Sequence, residues 1–218
     1  MVKKVILVAL GFAAVFWVFQ SVVDVALFQE GSLVEQLLTP GLHDIWMRTL
    51  VICTLVMFGV YAQSILAERK RAQDELAYMA IHDPLTGLPN RVLFNDRLTL
   101  ALAGTERSQR KLAVMLLDLD RFKDVNDMLG HHMGDQVLRG VGNRLAALVR
   151  KSDTVARWGG DEFILLVPDM ARVEDAAKIA QTILEAFRKP FIFGDQEFDI
   201  TVSIGIASYP DDGEDAET

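Results

Sequence analysis

The chain has 218 residues, a formal net charge of -8 and 51% hydrophobic residues. The acidic balance argues against a nucleic-acid-binding surface, and the single cysteine, Cys53, rules out an internal disulfide framework. So large an apolar share beside so much charge means an uneven chain, with the excess at one end.

That end comes first. Val5 to Val23 and Thr49 to Leu66 are uncharged apolar runs, each about long enough to cross a hydrocarbon core as a helix. Lys3 and Lys4 precede the first run, and Arg69, Lys70 and Arg71 follow the second. The loop between them carries Asp24, Glu30, Glu35 and Asp44 against Arg48 alone. The positive-inside bias therefore predicts a multi-pass anchor of the inner (cytoplasmic) membrane over residues 1–66, with both termini cytoplasmic. A cleaved signal peptide and a buried helical hairpin are the rival readings; the first run exceeds a usual signal h-region. Residues 67–82 form a charged helical connector with sparse apolar positions at Ala72, Leu76, Met79 and Ala80. It reads either as a solvated helix or as a short coiled coil with a second copy.

From residue 83 onward the pattern alternates. "HDPLTGLPNR" is a loop, and Asn90 can cap a helix with Phe94, Leu98, Ala101 and Leu102 on one face. "LAVMLL", Leu112 to Leu117, is a continuous apolar run, as expected of a strand buried on both faces, and it ends in Asp118, Leu119 and Asp120. A short helix follows, with Phe122, Val125 and Leu129 on one face and Lys123 and Asn126 on another; Gly130 can end it. A long helix comes next, through Val137, Leu138, Val141, Leu145 and Val149. Then come a hairpin around Gly159 and Gly160, a helix over residues 171–187, and an alternating strand, "FDITVSIGI". The order implies an α/β (α+β) domain: a central mixed sheet layered against helices.

Two features of this frame bear on chemistry. Asp118 closes the buried strand, and Asp161 and Glu162 lie on a turn tight enough to need glycine. If the hairpin neighbours that strand, the three carboxylates approach one another, and they repel unless a cation sits among them. Few, hard oxygen donors with room left for phosphate suit Mg²⁺ or Mn²⁺. Taken singly, the acidic turn is most often a solvated turn and the strand-end acids are often just a polar strand end.

The motifs taken together resemble the GGDEF domain of diguanylate cyclases. "RWGGDEF" matches its signature, and "DPLTGLPNR", "DLDRFKDVND" and "GHHMGD" match its other motifs in the same order and spacing, over about Asp83 to Pro210. The resemblance implies a fold like the palm of nucleotidyl cyclases, preceded here by the two membrane helices. It also implies condensation of two GTP into cyclic di-GMP at the interface of a homodimer. Asp118, the backbone carbonyl of Leu119 and Asp161 would hold one or two divalent ions. Asp161 would act as base, with Glu162 beside it. Asn126 and Asp135 would read guanine, Lys123 would contact phosphate, and Phe122 and Gly160 would complete the substrate site. Arg150 and Asp153 form an RxxD pair at the separation of the family's inhibitory site for cyclic di-GMP, with Arg157 assisting. His131 and His132 lack a second ligand pair at metal spacing and read as structural or solvent-facing histidines.

The chain departs from the family pattern after "SYPDDGED". The helix with an A-x-x-A-K-like run and the final strand are expected there and do not follow, so residues 83–218 read as a GGDEF domain lacking its C-terminal elements. The same ending is common before a cyclic di-GMP phosphodiesterase domain of EAL type. The alternative function, from another class, is a non-catalytic membrane receptor that binds GTP or cyclic di-GMP.

Overall fold

The computed structural model describes residues 2–28, 32–38, 41–108, 110–194 and 196–213. The chain divides into two compact units, Met1–Glu75 and Leu76–Thr218. Of the charges read as flanking the membrane runs, Glu30 lies outside the described residues, as do the side chains of Lys3, Lys4, Asp24, Glu35 and Asp44. The last five positions of "DDGEDAET" also lie outside them.

In the first unit, α1 (Val2–Phe28) and α2 (Leu33–Leu38) precede α3 (Leu42–Ile81). Two spans are expected from the sequence. Among the described residues, one helix, Ile45–Ile81, is long and apolar enough to cross a membrane, and Gly11–Val23 is a shorter apolar stretch. Most of the apolar side chains on these helices are exposed, Phe12, Phe19, Leu50, Met57 and Phe58 among them. Ala13, Ser21 and Arg48 are buried, and Arg48 is the largest of them. It is fully buried, with its guanidinium 4.7 Å from the centroid of the Trp17 ring, where the ring face replaces part of the lost hydration.

The second unit starts with the last residues of α3, Leu76 to Ile81, followed by a loop and α4 (Arg91–Ser108). Asn90 Oδ1 accepts from the N–H groups of Val92 and Leu93 at 3.0 and 3.2 Å, so the predicted cap is present. Then follow β1 (Lys111–Leu119), α5 (Phe122–Leu129), α6 (His131–Leu148), β2 (Thr154–Gly159), β3 (Glu162–Met170), α7 (Glu174–Phe187), β4 (Phe191–Phe193), β5 (Gln196–Phe198) and β6 (Val202–Tyr209). The main sheet has the order β2-β3-β1-β6, and all three pairings are antiparallel. Although α5 and α6 cross over between β1 and β2, β2 arrives at the edge beside β3 and never pairs with β1.

The alternation of β1 explains its unbroken apolar run. Ala113, Met115, Leu117 and Leu119 face a core with Val137, Val141 and Leu145 of α6 and Ile183 and Phe187 of α7. Leu112 and Val114 face the opposite way, toward Phe94 and Leu98 of α4. Leu116 and Asp118 share that second face beyond the reach of α4 and are exposed. The strand therefore ends with a carboxylate in solvent on a fully packed support.

The end of α7 is held by a single side chain. Arg144 of α6 donates to the carbonyls of Ala186 (3.2 Å), Lys189 (2.6 Å) and Pro190 (2.9 Å), and its guanidinium lies 3.3 Å from the centroid of Phe191. These carbonyls lie at and just past the end of α7, where backbone donors run out; Ala186 also accepts from the Lys189 N–H at 3.3 Å. Arg144→Met keeps much of the volume and removes the donors. It is expected to lower unfolding stability by about 2–3 kcal/mol, read as a shifted midpoint at unchanged slope in urea titration.

Candidate active site

The hairpin β2–β3 closes through a two-residue turn, Gly160 and Asp161, with Gly159 and Glu162 as the last cross-strand partners. Gly160 has φ +52°, which a Cβ would strain. Gly159 needs glycine for neither reason: its φ is ordinary and a Cβ there would meet open space. That space lies beside the turn, where a ligand can approach the backbone.

The β1–β3 register sets Asp118 directly opposite Glu162. The same register places Asp161 one residue beyond, so the strand-end aspartate and the turn acids are neighbours, as the sequence led us to expect. Directly opposed side chains have Cβ atoms about 5 Å apart, and like charges there repel. Among the described residues, the side chains of Asp118, Asp161 and Glu162 make no ion pair or hydrogen bond. Nor do any three His, Cys, Asp or Glu side chains converge there into a complete metal cage. The donors that this end of the sheet offers are few, hard and acidic, with coordination space left open. Asp120 is different. It accepts from Ser203 Oγ and Thr201 Oγ1, each at 2.6 Å, and these bonds hold its carboxyl below the usual range against a small opposing effect of burial. It is tied to β6 and is not part of the open acidic group.

Beside the turn lies a cavity of about 380 Å³ lined by Phe122, Lys123, Asn126, His131, Asp135, Leu138, Arg157, Gly160 and Asp161. Six of these are substrate-side or turn residues expected from the sequence: Phe122, Lys123, Asn126, Asp135, Gly160 and Asp161. The volume lies within the range of small-ligand sites. The helices α5 and α6 pack closely enough that a Cβ on Gly134 would overlap Asn126 Oδ1 and press on Phe122. Gly130, with φ +81°, turns the chain between them. His131 lines the cavity one helical turn before Asp135. The sequence read His131 as a structural or solvent-facing histidine, and it is exposed at the cavity's edge.

Arg150 and Asp153 meet in a second cavity of about 410 Å³, together with Arg110, Ser152, Asp169, Asp175 and Lys178. Asp153 is engaged locally, accepting from the Arg150 N–H and from Ser152 Oγ. Arg110 pairs with Asp169 and Lys178 with Asp175. Arg157, grouped with this pair on sequence, does not line that cavity. Its Nη1 donates to both oxygens of Asp83, at 3.2 and 3.1 Å, and Nε and Nη2 donate to the carbonyl of Gly160, at 3.1 and 2.7 Å. No local pattern could have linked Asp83 to Arg157, because 74 positions separate them.

A family profile described as "Diguanylate cyclase, GGDEF domain" matches residues 80–218. The chain is 42% identical over 188 residues to the bifunctional diguanylate cyclase/cyclic di-GMP phosphodiesterase MucR of Pseudomonas aeruginosa, covering 80% of this chain and 27% of MucR. It is 41% identical over 158 residues to the diguanylate cyclase TpbB of the same organism, covering 71% of this chain and 36% of TpbB. The chain thus spans only about a quarter to a third of the length of these relatives. Among solved structures, the GGDEF domain of TpbB aligns with a TM-score of 0.58 at 42% identity, over 59% of this chain and 81% of that one. The coiled coil and GGDEF domain of DgcB from Caulobacter crescentus, in complex with c-di-GMP, aligns at 0.59 and 30% identity, over 68% and 80%. With an acid-bearing glycine turn beside a strand-end aspartate and a profile match over residues 80–218, the chain belongs to the GGDEF-domain family of diguanylate cyclases.

Proposed function

We propose that this protein condenses two molecules of GTP into cyclic di-GMP, releasing two pyrophosphates. The observation that carries the reading is the placing of Asp118 opposite Glu162, with Asp161 next to it in the turn, none of them paired with a cation among the described residues. The turn opens onto the cavity that holds Asn126 and Asp135.

The donor set fits Mg²⁺ or Mn²⁺. Asp118, the carbonyl of Leu119 and Asp161 would hold one or two ions, and triphosphate oxygens would fill the remaining positions. When bound, such ions would favour ionisation of a 3′-hydroxyl and offset charge on the leaving pyrophosphate. Asp161, with Glu162 beside it, accepts the proton of that hydroxyl. The 3′-oxygen forms a bond to the α-phosphorus of the other GTP as the bond to its bridging oxygen breaks. The reciprocal attack closes the ring. Each domain holds one GTP, so two copies face each other in the active dimer. Lys123 contacts phosphate, and Phe122 and Gly160 shape the site.

Asn126 and Asp135 read the guanine edge. The packing at Gly134 supports this, because it holds the Asn126 amide in place. Gly134→Ala is expected to push that amide aside and weaken GTP binding about tenfold, the value of one good hydrogen bond. Calorimetric titration reads this directly.

The second cavity supports feedback by the product. Arg150 reaches a phosphate or a guanine face, and Asp153 accepts from a guanine edge. The helix Ile45–Ile81, long and apolar enough to cross a membrane, supports anchoring in the inner membrane, and the positive-inside bias flanking its apolar run supports a cytoplasmic catalytic unit. The deciding experiment incubates the intact protein with GTP and Mg²⁺ and measures cyclic di-GMP. Product formation supports the cyclase. Tight cyclic di-GMP binding that Arg150→Ala removes, without turnover, would leave the receptor reading instead.

A further inference from the structure

We propose that Arg157 is a positioning residue for the catalytic turn, set in place by Asp83, and no part of the feedback site. This inference rests on the cyclase reading. It starts from the peptide that joins Gly160 to Asp161. A peptide unit is planar, so fixing its carbonyl also fixes the N–H on the opposite side and the Cα that follows. Here that Cα belongs to Asp161. Arg157 grips the Gly160 carbonyl with both Nε and Nη2. Glycine crosses between backbone regions with little steric cost, so the Gly160–Asp161 peptide is otherwise the easiest unit of the hairpin to flip. The guanidinium removes that freedom at the residue whose direction matters most.

The guanidinium has little left to offer a ligand. Nη1 is spent on Asp83, and all three nitrogens are engaged. The side chains of Arg157 and Asp83 are only 15% and 17% exposed. Asp83 is itself fixed, accepting from the Thr86 N–H and Thr86 Oγ1 at 2.8 and 2.7 Å. Burial works to raise the Asp83 pKa. The bonds from Thr86 and the pairing with Arg157 outweigh it and hold the carboxyl below its ordinary value, so it is charged wherever the protein works. The Arg157 N–H also donates to the carbonyl of Pro89, at 3.0 Å, so the loop grips both the backbone and the side chain of this residue.

The loop continues the chain of contacts toward the connector. Tyr78 donates its hydroxyl to the Gly87 carbonyl at 3.3 Å and stacks on His82 with ring centroids 3.9 Å apart. The last turn of α3 is thereby joined to the loop that aims Arg157, and through it to the turn that carries Asp161.

The test uses the intact protein with Arg157→Met, Arg157→Lys and Asp83→Asn. Arg157→Met is expected to lower kcat about 30-fold or more, as a misplaced reacting group does. KM for GTP and cyclic di-GMP binding should stay within about threefold of wild type. Arg157→Lys keeps the charge without the fork, so it should not restore kcat. Asp83→Asn should fall between wild type and Arg157→Met, and should add nothing to Arg157→Met in the double variant. Amide hydrogen exchange at Gly160 and Asp161 should speed up in all three single variants, with or without nucleotide. Wild-type kcat in Arg157→Met, or wild-type exchange in Asp83→Asn, overturns the inference while the cyclase reading stands. A raised KM at full kcat would make Arg157 a phosphate contact, and lost feedback at full kcat would return it to the product site. A wild-type protein that makes no cyclic di-GMP defeats the cyclase reading, and the exchange data alone then decide whether the clamp exists.

Discussion

Asp161→Asn is expected to reduce cyclic di-GMP formation by about 10³-fold or more while leaving the protein folded. The asparagine has the same size, and the turn does not use the carboxylate: φ at Gly160, the pairing of Gly159 with Glu162 and the grip of Arg157 are all backbone features. Stability should change by no more than about 0.5 kcal/mol, as for an ordinary substitution at a half-exposed site. On the proposed reading activity should collapse, because one change would remove both an anionic oxygen ligand and the proton acceptor. A general base alone contributes about 10²–10⁴-fold, and weaker metal binding adds to that loss. Product quantified after a single turnover, with the thermal midpoint measured on the same sample, separates the two quantities. Retention of a tenth of the activity would place the chemistry elsewhere. Asp118→Asn should give a similar loss that excess metal partly restores. Asp120→Asn should not, because that carboxylate is committed to Ser203 and Thr201.

The sequence made this site legible because its parts are local. Gly159, Gly160, Asp161 and Glu162 are consecutive, and the chemistry of a tight turn with adjacent acids is visible in four letters. Asp118 was legible for another reason: it is the first charge after an apolar run that packs on both faces over most of its length, although Leu116 before it is already exposed and Leu119 after it is still buried. Asn90 as a cap and Gly130 as a stop followed from backbone rules. What escaped were features that depend on distant pairing. The grip of Asp83 on Arg157 joins a loop to a strand far along the chain, and nothing near either residue announces it. The resemblance grouped Arg157 with Arg150 and Asp153, whereas in the fold it lines the cavity beside the turn and not the one that holds those two.

The last strand shows a different limit. The alternation through Phe198, Ile200, Val202, Ile204 and Ile206 suggested one continuous element. In the fold, Phe198 belongs to β5, which pairs with β4 in a small separate hairpin, and β6 begins only at Val202. Alternation cannot see the break, because Phe198 still packs against the same core as Val202 and Ile204. Ile206 is 41% exposed on an edge strand, although the pattern points it inward. Strand period reports which residues share a face, but not where that face runs out of cover.

The second large effect concerns the base that the cavity accepts. Asp135 is half-buried on α6 and lines the same cavity as Phe122, Asn126 and Leu138. Guanine offers a ring N–H and an amino group side by side, both donors, and a carboxylate accepts both. Asparagine at this position presents one donor toward those donors, so one bond is lost and an unfavourable contact replaces it. A hydrogen bond to a charged group contributes about 1.5–3 kcal/mol, and tenfold in affinity corresponds to about 1.4 kcal/mol. Asp135→Asn should therefore lower kcat/KM for GTP by about 10- to 100-fold. Inosine triphosphate, which lacks the amino group, should lose far less, so the preference of the wild type for GTP should shrink toward parity. Adenine has no ring N–H at the matching place, and its triphosphate should remain a poor substrate for both proteins. Competition assays with the three triphosphates, read as cyclic product, measure all of this in one series. A variant that still prefers GTP over inosine triphosphate by the wild-type margin would show that the guanine amino group is read by a residue other than Asp135.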